Sequence, residues 1–402
     1  MRCTISEQID TIAKKLGAEE ASSNNIAEAI NGLAVALGAE GASSNNIVEA
    51  LEKVVANVKG GGSDDKFKDL VERTMASAYD SGITTIGDNA FQNCSSLTHV
   101  DFLACTSIGF SAFASCSSLT SVNFPACTSI GNDAFTACSS LTSLNFPACT
   151  SIGTYAFLNC SSLEEANFPA CTIIGKSVFA NCSSLTFVSF PNCTNIGNYA
   201  FNNCRSLTSV SFPACTSIGF SAFASCSSLT SVNFPACTSM ESNVFTSCYS
   251  LASVDFPVCT SIGSYAFQSC RSLTSVNFPD CTGIGISAFT YCSSLTSVNF
   301  PACTGIGIYA FTYCYSLTTA SFPACTKIGA SAFMRCYNLT SLYLTGSSVC
   351  ALNHSNAFTS TPIGGYSVSA GRYGSIYVPE SLLASYKADY YWRYFSSRFV
   401  GI

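Results

Sequence analysis

Phenylalanine and cysteine recur every eleven residues over most of this chain, and no other feature restricts its fold as tightly. Cysteine falls at 94, 105, 116 and onward to 336, and phenylalanine at 91, 102, 113 and onward to 333, each 23 times without a miss. The full unit is twice as long, because proline (Pro125 to Pro323) and leucine (Leu97 to Leu339) keep a step of 22 residues. An eleven-residue apolar period can build a right-handed coiled coil. That reading fails here: the units carry proline, most carry glycine (Gly109, Gly131, Gly153), and Ser, Thr and Asn are dense, all of which disfavour a continuous helix. A period of 22 matches a solenoid instead, in which each coil buries its apolar face only against its neighbours.

Position within the unit predicts the coil. SVNF (121–124) reads as a short parallel strand with Ser121 and Asn123 facing outward. PACTSIG reads as a turn and a second extended piece, and NDAFTAC as a helical or 3₁₀ turn. Leu119, Val122, Phe124, Cys127 and Ile130 are expected to point inward, with Ala134, Phe135 and Cys138 closing the coil from the other side.

The cysteines need their own account, since there are 25 of them. Metal sites require clustered ligands such as C-x2-C pairs or nearby histidine, whereas these are eleven apart and the chain has only two histidines. Stacked coils bring equivalent cysteines to about 4.8 Å, within the Cα range of a disulfide. In-register side chains, however, point the same way rather than at each other. The expectation is therefore small buried thiols filling the inside of the coil.

Composition excludes several functions. The net charge is −6, which argues against a partner held by phosphate contacts. No window approaches eighteen uninterrupted apolar residues, so membrane insertion is not expected. The start, MRCTISEQIDTIAKKLGAEE, lacks the apolar core of a secretory signal peptide. No Ser/His/Asp set, carboxylate pair or phosphate loop stands out, so the chain reads as non-enzymatic, without catalytic residues, metal or cofactor.

The phrase IGxxAFxxCxSLxSVxFP resembles the BspA-like (Treponema-type) leucine-rich repeats of bacterial surface adhesins and gut-bacterial phage proteins, over about residues 75–380. One departure is the second cysteine column, Cys105 to Cys325, where that family more often has a β-branched residue. The resemblance implies an α/β repeat: a leucine-rich-repeat solenoid of short parallel strands in 22-residue coils, preceded by a small helical module, with no catalytic residues to transfer.

The ends differ from the middle. LGAEEASSNNIAEAI and LGAEGASSNNIVEAL, beginning at Leu16 and Leu37, each place a Ser/Asn cap before an apolar stripe, as short amphipathic helices do. The expected organisation is a helical attachment or oligomerisation module (1–59), a Gly-rich linker (60–66), a cap and degenerate first coil (67–96), eleven repeats (97–338), and a degenerate coil with a Tyr-rich cap (339–402). Within that cap SIYVP reads as the last strand and SLLASYKADYYWRYFSSRF as a capping helix.

Thirteen of the eighteen tyrosines lie after residue 290. Tyr291, Tyr309, Tyr313, Tyr315 and Tyr337 occupy variable positions beside the fixed Phe and Cys, and exposed tyrosine on a rigid support is a recognition surface. These five are the candidate ligand-binding residues. The expected partner is a host cell-surface protein or glycan, with other virion proteins, or further copies of the chain, held through residues 1–59. The resemblance of the N-terminal repeats and of GSIYVPxSLxxSYK to phage-encoded members implies a virion fibre. The alternatives are a bacterial cell-surface adhesin and a ligand-free spacer, the latter suited by the identity of residues 107–129 with 217–239.

Overall fold

The computed structural model describes residues 83–365 apart from Ser96, and residues 373–402. The expected helical module, the Gly-rich linker and the first part of the N-terminal cap lie outside the described residues. Two compact units are present: one runs to Cys171 and resumes over Val178–Ser189, and the other comprises Thr172–Ser177 and Phe190–Ile402.

Each unit is a parallel β-solenoid. In the first, the two-residue strands Thr85–Ile86, Ser107–Ile108, Ser129–Ile130 and Ser151–Ile152 pair in parallel. On another side of the coil, His99–Asp101 pairs with Ser121–Asn123, and Glu165–Asn167 pairs with both Ser143–Asn145 and Phe187–Ser189. The second unit repeats this from Ile173–Ile174 and Asn195–Ile196 onward. Every pairing among the regular coils joins residues 22 apart, as in Ser209↔Ser231. Glycine follows most of the short strands where coils approach closely: the Gly131 N–H donates to the Ile108 carbonyl at 2.7 Å, and a Cβ on Gly131 would lie 2.6 Å from the Gly109 carbonyl oxygen.

The columns expected to be apolar form the core. Leu119, Phe124, Cys127, Ile130, Ala134, Phe135 and Cys138 are buried, while Val122 is half-buried. Phenylalanines stack on their equivalents along each column, for example Phe113 on Phe135 at 5.0 Å and 7°, and Phe212 on Phe234 at 5.5 Å and 8°. Rings of the two columns meet edge to face, as Phe113 does with Phe124 at 5.9 Å. Both arrangements are favourable for the ring quadrupole.

The third side of the coil keeps the i→i+3 bonds of the expected 3₁₀ turn but forms no helix. NDAFTAC is a run of turns that also hydrogen-bonds along the array. The N–H groups of Thr136 and Cys138 donate three residues back, to Asp133 and Phe135. Those of Asp133, Phe135 and Ala137 donate instead to Thr154, Ala156 and Leu158 on the next coil, at 2.9, 2.7 and 2.8 Å. Left-handed backbone at Asp133 (φ 54°) and Ala137 (φ 60°) interrupts the helical path, so alternate N–H groups turn outward. The same two positions are left-handed from Asn89 and Asn93 through Ser331 and Arg335.

Helices among the described residues are confined to the C-terminal end of the second unit, over Ser355–Phe358, Glu380–Leu382, Leu383–Ala388 and Trp392–Arg398. The expected single capping helix is broken at Asp389, whose backbone is extended (ψ 146°) and whose carboxylate accepts the N–H groups of Tyr391 and Trp392. SIYVP is not the last strand either, since Phe399–Gly401 adds beyond Ser375–Val378 in parallel. No helix of the described residues is long and apolar enough to cross a membrane.

Candidate functional site

The site is assembled by the 22-residue step of the second unit. Tyr291 and Tyr313 occupy the later left-handed position of consecutive coils, both at φ 64°. Their N–H groups donate to the Thr312 and Met334 carbonyls at 2.9 and 3.0 Å, which fixes the backbone. The rings stack at 4.3 Å and 4°. Tyr315 and Tyr337, each directly after a column cysteine, stack at 5.5 Å and 4°. An edge-to-face contact between Tyr313 and Tyr315, at 6.0 Å and 75°, joins the two pairs. Four of the five tyrosines singled out in the sequence therefore form one contiguous cluster.

Sequence reasoning missed three further residues, one of which extends the cluster. Arg335 takes the left-handed position after Tyr313 and lays its guanidinium over that ring, 5.1 Å from the centroid. In the column of Tyr315, Arg271 lies 5.3 Å over Tyr249. Such pairs are worth roughly 0.5–1 kcal/mol when exposed. The signal was available, because 249 and 271, like 313 and 335, are separated by one repeat.

Tyr309 stands apart. It occupies the earlier left-handed position of its coil (φ 59°), next to exposed Ile308, with exposed Ile286 one coil before. The cap aromatics divide as well. Trp392 is buried, and its indole N–H donates to the Cys350 carbonyl at 2.6 Å, whereas Tyr390 and Tyr394 are exposed.

Chemically the cluster is aromatic and cationic. Its two columns contain no acidic residue. Because the rings stack on one another, they present edges and hydroxyls more than faces, with Arg335 exposed beside Tyr313 and Arg271 exposed beside Tyr249. The Tyr291 phenol titrates above its ordinary range, first through partial desolvation and then through the hydrogen bond it shares with Tyr313. Bulky residues rarely adopt left-handed backbone, and most other coils put Ser or Asn at the position of Tyr291 and Tyr313, such as Asn203, Ser225 and Ser247. Among the described residues no group of three or more His, Cys, Asp or Glu is placed to hold a metal ion.

Comparison with known proteins agrees with this architecture. The family model for the BspA type leucine-rich repeat region, of six copies, matches residues 73–186, 150–261 and 260–370. A leucine-rich repeat protein from Bacteroides ovatus is 25% identical, with a TM-score of 0.55 over 80% of this chain and 88% of that one. A leucine-rich cell surface protein from Faecalibacterium prausnitzii is 29% identical over 66% of this chain and 84% of that one, with a TM-score of 0.42. A search of curated protein sequences returned no match.

Proposed function

From its membership of the BspA-type leucine-rich repeat family, to which this chain belongs, we infer that it is a non-enzymatic adhesion protein whose solenoid presents a binding surface to a cell-surface protein or glycan. The observation that carries this reading is the contiguous stack Tyr291–Tyr313–Tyr315–Tyr337 with Arg335. Tyrosine and arginine are the residue types that dominate binding hot spots. Here their rings are held by neighbouring coils, so little conformational freedom remains to be lost on binding. Left-handed tyrosine is a local cost that Ser or Asn would lessen, and such costs concentrate at functional positions.

The chain is displayed outside the cell that makes it, on a phage virion by the resemblance of its two ends, with a bacterial surface as the alternative. Proteomic analysis of purified virions, set beside antibody labelling of intact cells, separates the two locations.

The binding surface is tested by replacing Tyr291, Tyr313, Tyr315 and Tyr337 together with Ser. The variant is expected to keep the circular dichroism and cooperative melting of the parent. It is expected to lose binding to a glycan array and to a panel of intact cells in flow cytometry. Tyr309→Ser, outside the stack, is expected to retain most binding. Undiminished binding by the fourfold variant removes the cluster as the recognition surface.

A further inference from the structure

The thiol columns stay parallel as long as the coils keep their 22-residue step. Cys303 lies two residues before Gly305, Gly305 pairs with Lys327, and Cys325 lies two residues before Lys327. In-register thiols of this column donate to the backbone: Cys281 and Cys303 each donate to the carbonyl two residues onward, at 3.3 Å. The last coil breaks this pattern. Lys327 pairs with Ala351, a step of 24 (351 − 327), and Cys350 lies only one residue before Ala351. Cys350 is thus opposite Thr326, one residue out of register with Cys325.

The slip turns the two side chains toward each other. Their sulfurs lie 3.0 Å apart, with the Cys350 thiol donating to Cys325. The usual thiol–carbonyl bonds are stretched in return, to 3.5 Å from Cys325 to Lys327 and 3.9 Å from Cys350 to Ala351. Cys350 is also where the cap attaches to the coils. Its N–H donates to the Tyr386 hydroxyl at 2.9 Å, and its carbonyl accepts the Trp392 indole N–H.

We propose that Cys325 and Cys350 are a disulfide cross-link site that ties the C-terminal cap to the last regular coil, while in-register thiols remain reduced. Closing from the present separation to a bond of about 2.05 Å asks for a shift of about 1 Å. The oxidant is a small-molecule disulfide such as oxidised glutathione. One protein thiolate attacks it to form a mixed disulfide and release one small thiol, and the second protein thiol displaces the other. Overall the two protein thiols lose two protons and two electrons, and the reagent becomes two thiols. The hydrogen bond from Cys350 lowers the Cys325 pKa against the effect of burial, which favours Cys325 as the attacking sulfur. Both residues are buried, so exchange proceeds through local opening of the cap.

The test exposes the full-length native protein to oxidised glutathione, then denatures it, blocks remaining thiols with N-ethylmaleimide and maps peptides without reduction. The expected product is a linked peptide pair containing residues 325 and 350, lighter by two hydrogens than the two thiol peptides together. Oxidation is expected to raise the melting temperature of the parent but not of Cys350→Ser. Peptide mapping of the parent alone decides the matter if that variant does not fold. The pairs Cys160–Cys182, Cys237–Cys259 and Cys314–Cys336 also share hydrogen bonds but are in register, and serve as the internal controls. Links spread over such pairs would overturn the proposal. So would recovery of Cys325 and Cys350 as thiols under conditions where the amides of 383–398 exchange with solvent.

Discussion

At the scale of single residues, the repeated cysteine is a buried hydrogen-bond donor. The 24 described cysteines are thiols, 23 of them buried and Cys94 half-buried. One column donates to a carbonyl of its own coil, as Cys127 does to Ser129 at 3.2 Å. The other reaches back to the preceding coil, as Cys138 does to Phe113 at 3.1 Å. Burial is the main reason that Cys127 and Cys226 are pushed up to about 12. At pH 9–11 an unfolded thiol loses its proton while these retain theirs, so the unfolded state binds fewer protons and stability falls as pH rises. Melting temperature is therefore expected to be flat near neutrality and to drop from about pH 9, less steeply in Cys127→Ala. At pH 7 a thiol reagent should label the native array slowly and the denatured chain throughout, because the thiolate is the reactive form. Left-handed backbone gives a second residue-scale prediction. Ala137 (φ 60°) sits one coil before Asn159 (φ 62°), which pairs with Asn181 at 2.8 Å. Asn tolerates this conformation better than Ala, so Ala137→Asn is expected to stabilise by about 0.5–1 kcal/mol in chemical denaturation.

At the scale of the coil, inward and outward positions carry unequal weight. Phe212 is fully buried between Phe190 and Phe234, at 6.1 and 5.5 Å. Phe212→Ala should cost roughly 3–5 kcal/mol through the cavity it leaves. Asn233 is exposed, with only its amide donating to the Ser211 hydroxyl at 2.9 Å, so Asn233→Ala should stay within about 0.5 kcal/mol. Equal shifts in urea midpoint for the two variants would contradict the assignment of faces. The strands and the core columns were legible because alternation and the 22-residue step place the same residue type at the same depth in each coil. The turn tract was not, since its two left-handed positions are filled by Asn, Ser, Asp, Ala, Tyr and Arg alike. No residue type marks them. What holds them there is the row of N–H groups directed at the next coil.

At the scale of the molecule, the prediction concerns the division of labour along the chain. Only residues 1–59 carry apolar stripes that match no solenoid column, so removal of residues 1–62 is expected to leave a folded monomer without assembly contacts. Light scattering after size exclusion checks this, and oligomers that survive the deletion would relocate assembly to the solenoid. Much of the molecule followed from sequence alone: the coil length, the parallel strands, the buried phenylalanine, leucine and cysteine columns, and the gathering of tyrosine beyond residue 290. Each of these is periodic, and burying one coil against near-copies of itself turns a sequence period directly into a spatial column. Only the tertiary structure decided which rings touch, which arginines cover them, where the backbone turns left-handed and where two thiols fall out of register. Those outcomes depend on side chains from adjacent coils and on the C-terminal coils whose steps are not 22, and a slip of a single residue at Cys350 reverses the direction of a side chain.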